Sequence, residues 1–263
     1  MKSKGTALVT GASTGIGARY AEQLARRGHD LILVARNRER LNALAEYLTN
    51  LTGRSVEVLP ADLADAHDLA RIEARLREDA SIDLLVNNAG IGTHTPLLDS
   101  DVEQMSQMIA LNITALTRLT YAAVPGLVRR GRGALINISS VVSLAPELLN
   151  GVYGASKAYV TAFSQSLHKE LASTGVQVQA VLPGATATDF WAIGGLPVEN
   201  LDPRIVMSAQ DLVEAALQDF DAGHLISIPS LHEFERFEAF EAARQGLAGQ
   251  LSNQHLAPRY RQA

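Results

Sequence analysis

The chain has 263 residues, 47% of them hydrophobic and 19% charged, a composition that fits one large domain with a substantial core and excludes general disorder. A formal charge of -5 with scattered arginines offers no basic footprint for nucleic acid, and the absence of cysteine excludes disulfides, thiolate metal sites and thiol catalysis. No apolar run approaches the ~20 residues of a membrane span, and the run 7–9 is too short for a signal core of ~7 to 15 residues, so a cytoplasmic protein acting on a small soluble ligand is expected.

In chain order, a basic lead-in (1–5) precedes a strand at 6–10 and the loop Gly11-Ala12-Ser13-Thr14-Gly15-Ile16-Gly17, which opens a helix over 17–27. Glycines there permit close backbone approach, and a helix N-terminus attracts phosphate, so Gly11, Ser13, Thr14, Gly15, Ile16 and Gly17 are candidate nucleotide contacts. The spacing G-x-x-x-G-x-G differs from the usual G-x-G-x-x-G fingerprint. A second strand, 31–35, ends in Ala35-Arg36-Asn37 where an NAD site would carry an acidic residue. Arg36, with Asn37, Arg38 and Arg40 close behind, can instead bind a 2′-phosphate, which predicts NADP(H) in preference to NAD(H).

Further short apolar runs at 56–59, 84–86, 134–138, 176–182 and 225–228 alternate with amphipathic segments at 38–49, 66–78, 102–128, 152–173 and 209–220. The alternation predicts an α/β fold, a Rossmann-type doubly wound parallel sheet of about seven strands covered by helices. Residues 184–203 lack periodicity and read as a lid or binding loop. An Ala- and Glu-rich stretch over 234–251 reads as an extra helix, and 252–263 as a tail; the expected organisation is one domain over 1–251.

Tyr153 and Lys157 stand four apart on the helix predicted for 152–173, so ammonium and phenol share a face. A free tyrosine has a pKa of roughly 10, and a cation in a dry site can lower it. Ser140 lies 13 residues before that tyrosine.

With Gly11 to Gly17, Asn87-Asn88-Ala89-Gly90, Asn112, Ser140, Tyr153 and Lys157 in sequence order, the chain resembles the short-chain dehydrogenase/reductase family from Thr6 to about Ile228. The resemblance implies hydride transfer between a nicotinamide and a carbonyl or secondary alcohol. Tyr153 would then be the acid/base, Ser140 (with Ser139 the runner-up) would hold the oxygen, Lys157 would bind the ribose and depress the tyrosine pKa, and Asn112 would position a water. It further implies cofactor contacts from Asp62, Leu63, Asn88, Ala89, Gly90, Pro183, Gly184, Thr186 and Thr188, and a homodimer or homotetramer. Substrate walls would come from His94, Ser140, Val141, Leu144, Leu149, Trp191 and Ile193, a mostly apolar set that suits a hydrophobic substrate. The seven histidines show no metal-binding spacing, and no metal is expected. The alternatives are a 3-oxoacyl carrier reductase and a non-catalytic NADP-binding regulatory protein.

Overall fold

The computed structural model describes residues 4–260; the first three residues of the expected lead-in and the last three of the expected tail lie outside the described residues. Two compact units, Met1–Ser230 and Leu231–Ala263, divide the chain. The expected domain over 1–251 spans the first unit and most of the second.

The first unit alternates strand and helix: β1 (Thr6–Thr10), α1 (Gly15–Arg26), β2 (Asp30–Ala35), α2 (Arg38–Thr52), β3 (Val56–Pro60), α3 (Ala66–Glu78) and β4 (Ile82–Asn87). Then come α4 (Val102–Ile109), α5 (Leu116–Arg130), β5 (Gly133–Ile138), α6 (Gly151–Leu171), β6 (Val176–Val181), β7 (Thr186–Ala187), α7 (Phe190–Ile193), β8 (Met207–Ser208), α8 (Ala209–Asp221) and β9 (Ile226–Ser227). Seven strands form one parallel sheet in the order β3-β2-β1-β4-β5-β6-β9, the predicted architecture.

Because side chains alternate across a strand, each strand feeds two cores. Ala7, Val9, Leu31, Leu33 and Val86 pack with Tyr20, Leu24, Leu41, Leu212 and Leu217 of α1, α2 and α8. Leu8, Ile32, Val34, Leu85 and Leu135 pack on the other face with Ile72, Leu119, Leu127 and Leu167 of α3, α5 and α6. The chain order reverses between β1 and β4, and the crevice at the carboxyl ends of these strands is where ligands bind in such sheets.

Two departures from the sequence reading matter for the site. The continuous helix expected over 102–128 is interrupted by a π-helical segment, Ala110–Ala115, that contains Asn112. Inserted turns of this kind follow from side-chain and backbone demands that hydropathy periodicity does not register. The aperiodic stretch 184–203 is also more ordered than expected: β7 and β8 pair in parallel, Thr186 with Met207 and Ala187 with Ser208, and close its base.

In the second unit, α9 (Phe234–Gly246) carries a run of contacting rings, Phe234 to Phe237 at 5.5 Å and Phe237 to Phe240 at 6.4 Å. Among the described residues no helix is long and apolar enough to cross a membrane.

Candidate active site

The loop between β1 and α1 is fixed from the neighbouring strand end. Thr10 Oγ1 donates to the Val86 carbonyl (3.1 Å) and accepts from the backbone N–H groups of Asn88 and Ala89 (3.0 and 3.1 Å). Asn88 Nδ2 donates to the carbonyls of Thr10 and Gly11 (2.9 and 3.1 Å). Gly11 has φ +64°, and a Cβ there would stand 2.7 Å from Asn88 Nδ2; one on Gly17 would stand 2.3 Å from the Gly11 carbonyl oxygen. Glycine is therefore required at both positions to keep the loop tight against the sheet. Thr14, the N-cap of α1, makes no side-chain cap bond, so the first backbone N–H groups of that helix face the crevice ready for an anion.

A cleft of ≈ 510 Å³ runs from this loop along the strand ends. Most of the residues singled out in the sequence line it: Gly11, Ser13, Thr14, Gly15 and Ile16; Arg36, Asn37 and Arg40; Asp62 and Leu63; Asn88, Ala89 and Gly90; Ser140, Val141, Leu149, Tyr153 and Lys157; Pro183, Gly184, Thr186, Thr188, Trp191 and Ile193. Gly17 and Asn112 are buried behind the wall instead. Asn37 also caps α2 by accepting from the Arg40 N–H (2.9 Å), and Arg40 pairs with Asp189 at 3.1 Å. Asp62 accepts from the Ala64 N–H (3.0 Å), turning the chain after β3.

At the far end of the cleft Tyr153 and Lys157 are both 6% exposed. Lys157 Nζ donates to the Ile138 carbonyl (2.9 Å) and lies 5.8 Å from the centre of the Tyr153 ring. Burial pushes the ammonium down to about 8. The phenol does not show the expected depression: burial pushes Tyr153 up to about 12, and its hydrogen bond with Ser140 opposes that only in part. Lys157 does not offset the cost of burying a phenolate, because its ammonium points at the backbone of β5 rather than at the phenol.

The two serines after β5 separate by partner. Ser139 Oγ donates to the Lys157 carbonyl (2.7 Å) and lies 2.8 Å from Thr161 Oγ1, anchoring α6 to the sheet. Ser140 Oγ accepts from the Val142 N–H (3.3 Å) and lies 3.4 Å from the Pro183 carbonyl oxygen, and Ser140 is the serine whose hydroxyl bears on the Tyr153 phenol. Asn112 Oδ1 accepts from the Ile91 N–H (2.9 Å), while its Nδ2 donates to the Ile91 carbonyl (2.8 Å) and to Ser156 Oγ (3.0 Å). The π segment thus holds the loop after β4 to α6.

Two residues expected on the substrate wall do not line the main cleft, although His94 borders a small space adjoining it beside Tyr153 and Phe190. His94 lies outside the main cleft, with Nδ1 3.1 Å from the Gly194 carbonyl oxygen, and Leu144 does not line it either. Sequence reasoning missed Phe190, whose ring centre is 5.7 Å from that of Tyr153 and 5.9 Å from that of Trp191. It also missed Gly92, where a Cβ would stand 2.4 Å from Phe190 Cζ. The signal for Phe190 was its place in the same aperiodic stretch as Trp191.

A family model described as short chain dehydrogenase matches residues 5–193. Over 208 residues the chain is 40% identical to the very-long-chain 3-oxoacyl-CoA reductase of Anas platyrhynchos, the match covering 77% of this chain and 66% of that protein, just under two thirds of its length. Among solved structures, a short-chain dehydrogenase from Sphingobium yanoikuyae in complex with NADPH is 49% identical with a TM-score of 0.95, covering 98% of this chain and 100% of that one. The bulky-bulky ketone specific alcohol dehydrogenase from Comamonas testosteroni is 44% identical with a TM-score of 0.91 over 98% of this chain and 99% of that one.

Proposed function

The chain belongs to the short-chain dehydrogenase family and is an oxidoreductase acting on CH–OH or C=O groups, and from that premise we propose that it uses NADP(H) to interconvert a bulky hydrophobic ketone and its secondary alcohol. The observation that carries the reading is a single cleft with Arg36 at one end and Ser140, Tyr153 and an apolar wall of Leu149, Phe190 and Trp191 at the other. Gly11, Gly15 and Gly17 let the loop pack closely, since a side chain there would meet Asn88 at 2.7 Å, Thr188 at 2.9 Å or the Gly11 carbonyl at 2.3 Å, and such a close-lying backbone suits the phosphates of a dinucleotide. The NADPH complex of the 49% identical Sphingobium protein supports the choice of cofactor.

The nicotinamide, when bound, supplies or accepts the hydride. Ser13, Thr14, Ile16 and the α1 N-terminus would hold the diphosphate, Arg36 and Arg40 the 2′-phosphate, and Asp62, Leu63, Asn88, Ala89 and Gly90 the adenosine side. Lys157 would reach the nicotinamide ribose beside Thr186 and Thr188. Ser140 Oγ holds the substrate oxygen and Tyr153 Oη exchanges the proton with it. With its pKa near 12, Tyr153 is protonated at neutral pH and stands ready as the acid for carbonyl reduction. Lys157, near 8, is then mainly an ammonium, held on the Ile138 carbonyl, from which it would serve the ribose rather than the phenol.

A panel of ketones, aldehydes and secondary alcohols, assayed with each nicotinamide cofactor, tests the reading. The expected result is reduction of aryl or long-chain ketones with NADPH well above NADH. Equal rates with both cofactors would remove the cofactor assignment, and turnover confined to 3-oxoacyl thioesters, the class named for the Anas relative, would replace the substrate.

A further inference from the structure

We propose that Phe190 is a specificity-determining residue, an aromatic partition that sets the size of the smaller substituent on the carbonyl substrate; the inference rests on the ketone reading above and deepens it. With the reacting oxygen against Ser140 and Tyr153, the two substituents of the carbonyl carbon diverge from that point. One side faces the substrate end of the main cleft along Val141, Leu149 and Trp191. The other meets a second space, bounded by Gly92, Thr93, His94, Gly194 and Leu196, whose free volume is ≈ 10 Å³. That is about the room one water needs, so a methyl group is near its limit. Phe190 borders both spaces together with Leu149, Tyr153 and Trp191; it is the one whose ring lies between Tyr153, at 5.7 Å, and the backbone of Gly92.

The surroundings seat the ring but do not lock it. Gly92 leaves open the position that Phe190 Cζ occupies, where a Cβ would be 2.4 Å away. Phe190 belongs to a single helical turn followed by Gly194 and Gly195, the latter at φ +87°. His94 fixes the far wall through Gly194 rather than touching the main cleft. A smaller side chain at 190 therefore joins the two spaces, while the far wall and the proton-transfer residues keep their anchors.

The test is a ratio of kcat/KM values for wild type, Phe190→Leu, Phe190→Ala and Phe190→Trp. Acetophenone, with a methyl as its smaller group, is compared with butyrophenone and benzophenone, and NADPH fluorescence titration confirms that each variant is folded. The benzophenone-to-acetophenone ratio is expected to rise about tenfold or more in Phe190→Ala, the scale on which apolar pockets discriminate by a methylene or more. It should rise less in Phe190→Leu and fall in Phe190→Trp. A wild type that turns over ketones with a ratio unvarying across the variants overturns the partition alone. A wild type that binds NADPH yet reduces no carbonyl compound overturns the functional reading and the partition with it.

Discussion

The two halves of the cleft are built by different means. The cofactor half is held by backbone carbonyls and amides, with Thr10 and Asn88 making five hydrogen bonds between the β1 loop and the end of β4, and with glycines at points of closest approach. The substrate half hangs from one short ladder and isolated bonds such as Trp191 Nε1 to the Thr186 carbonyl (3.0 Å), and Ile193 is 70% exposed. The difference teaches that tight construction is reserved for the part of the ligand that does not vary. Shape selection is left to a segment with few anchors, the kind from which binding loops are drawn.

Substitutions that strike one half and spare the other would sharpen this contrast. The largest effect belongs to Tyr153→Phe, which removes the proton-transferring oxygen at the junction: turnover should fall by about 10² to 10⁴, with NADPH affinity by fluorescence titration within about twofold of wild type. Wild-type turnover in that variant would break the assignment.

Next is Lys157→Met, which should lower turnover less than Tyr153→Phe does yet stabilise the cofactor-free protein. The native pKa near 8 lies below the usual 10.5, so the unfolded chain binds more protons between those values. Stability attributable to this residue is lowest below pH 8 and rises as pH climbs toward 10.5. The advantage of the variant in urea unfolding, reduced by the lost hydrogen bond to the Ile138 carbonyl, should be largest below pH 8 and shrink above it; an advantage that grows with pH would contradict it.

The smallest effect is Arg36→Ala, confined to the cofactor half. Loss of a charge-assisted contact of about 1.5–3 kcal/mol should weaken NADPH binding about 10- to 100-fold and leave NADH binding nearly unchanged. Equal losses for both cofactors would show that Arg36 does not read the 2′-phosphate.

The well-anchored half was also the more legible in sequence. The glycine spacing, Arg36 in place of an acid, and the Tyr153–Lys157 interval each reflect a local demand, a backbone approach or an i, i+4 face, that one stretch of chain expresses by itself. The sheet was readable for the same reason, since strands buried on both faces leave unbroken apolar runs such as Leu31 to Ala35. What was not legible depends on long-range packing. Asn112 lies in a π segment whose purpose is to meet Ile91 and Ser156, a requirement that helical periodicity cannot display. Phe190 and Gly92, nearly a hundred positions apart, acquire meaning together only where the two loops touch. The direction of the Tyr153 shift was misjudged because residue spacing shows that Lys157 is near but not that its ammonium turns to the Ile138 carbonyl.

The two-residue pairing of β7 with β8 has an evolutionary consequence. It ties the two ends of the intervening segment, residues 188–206, to each other through a separate two-stranded ladder, so that stretch can be lengthened, shortened or exchanged while its points of attachment keep their register. An insert tethered in this way can vary in length without moving Ser140 or Tyr153, which lie outside it.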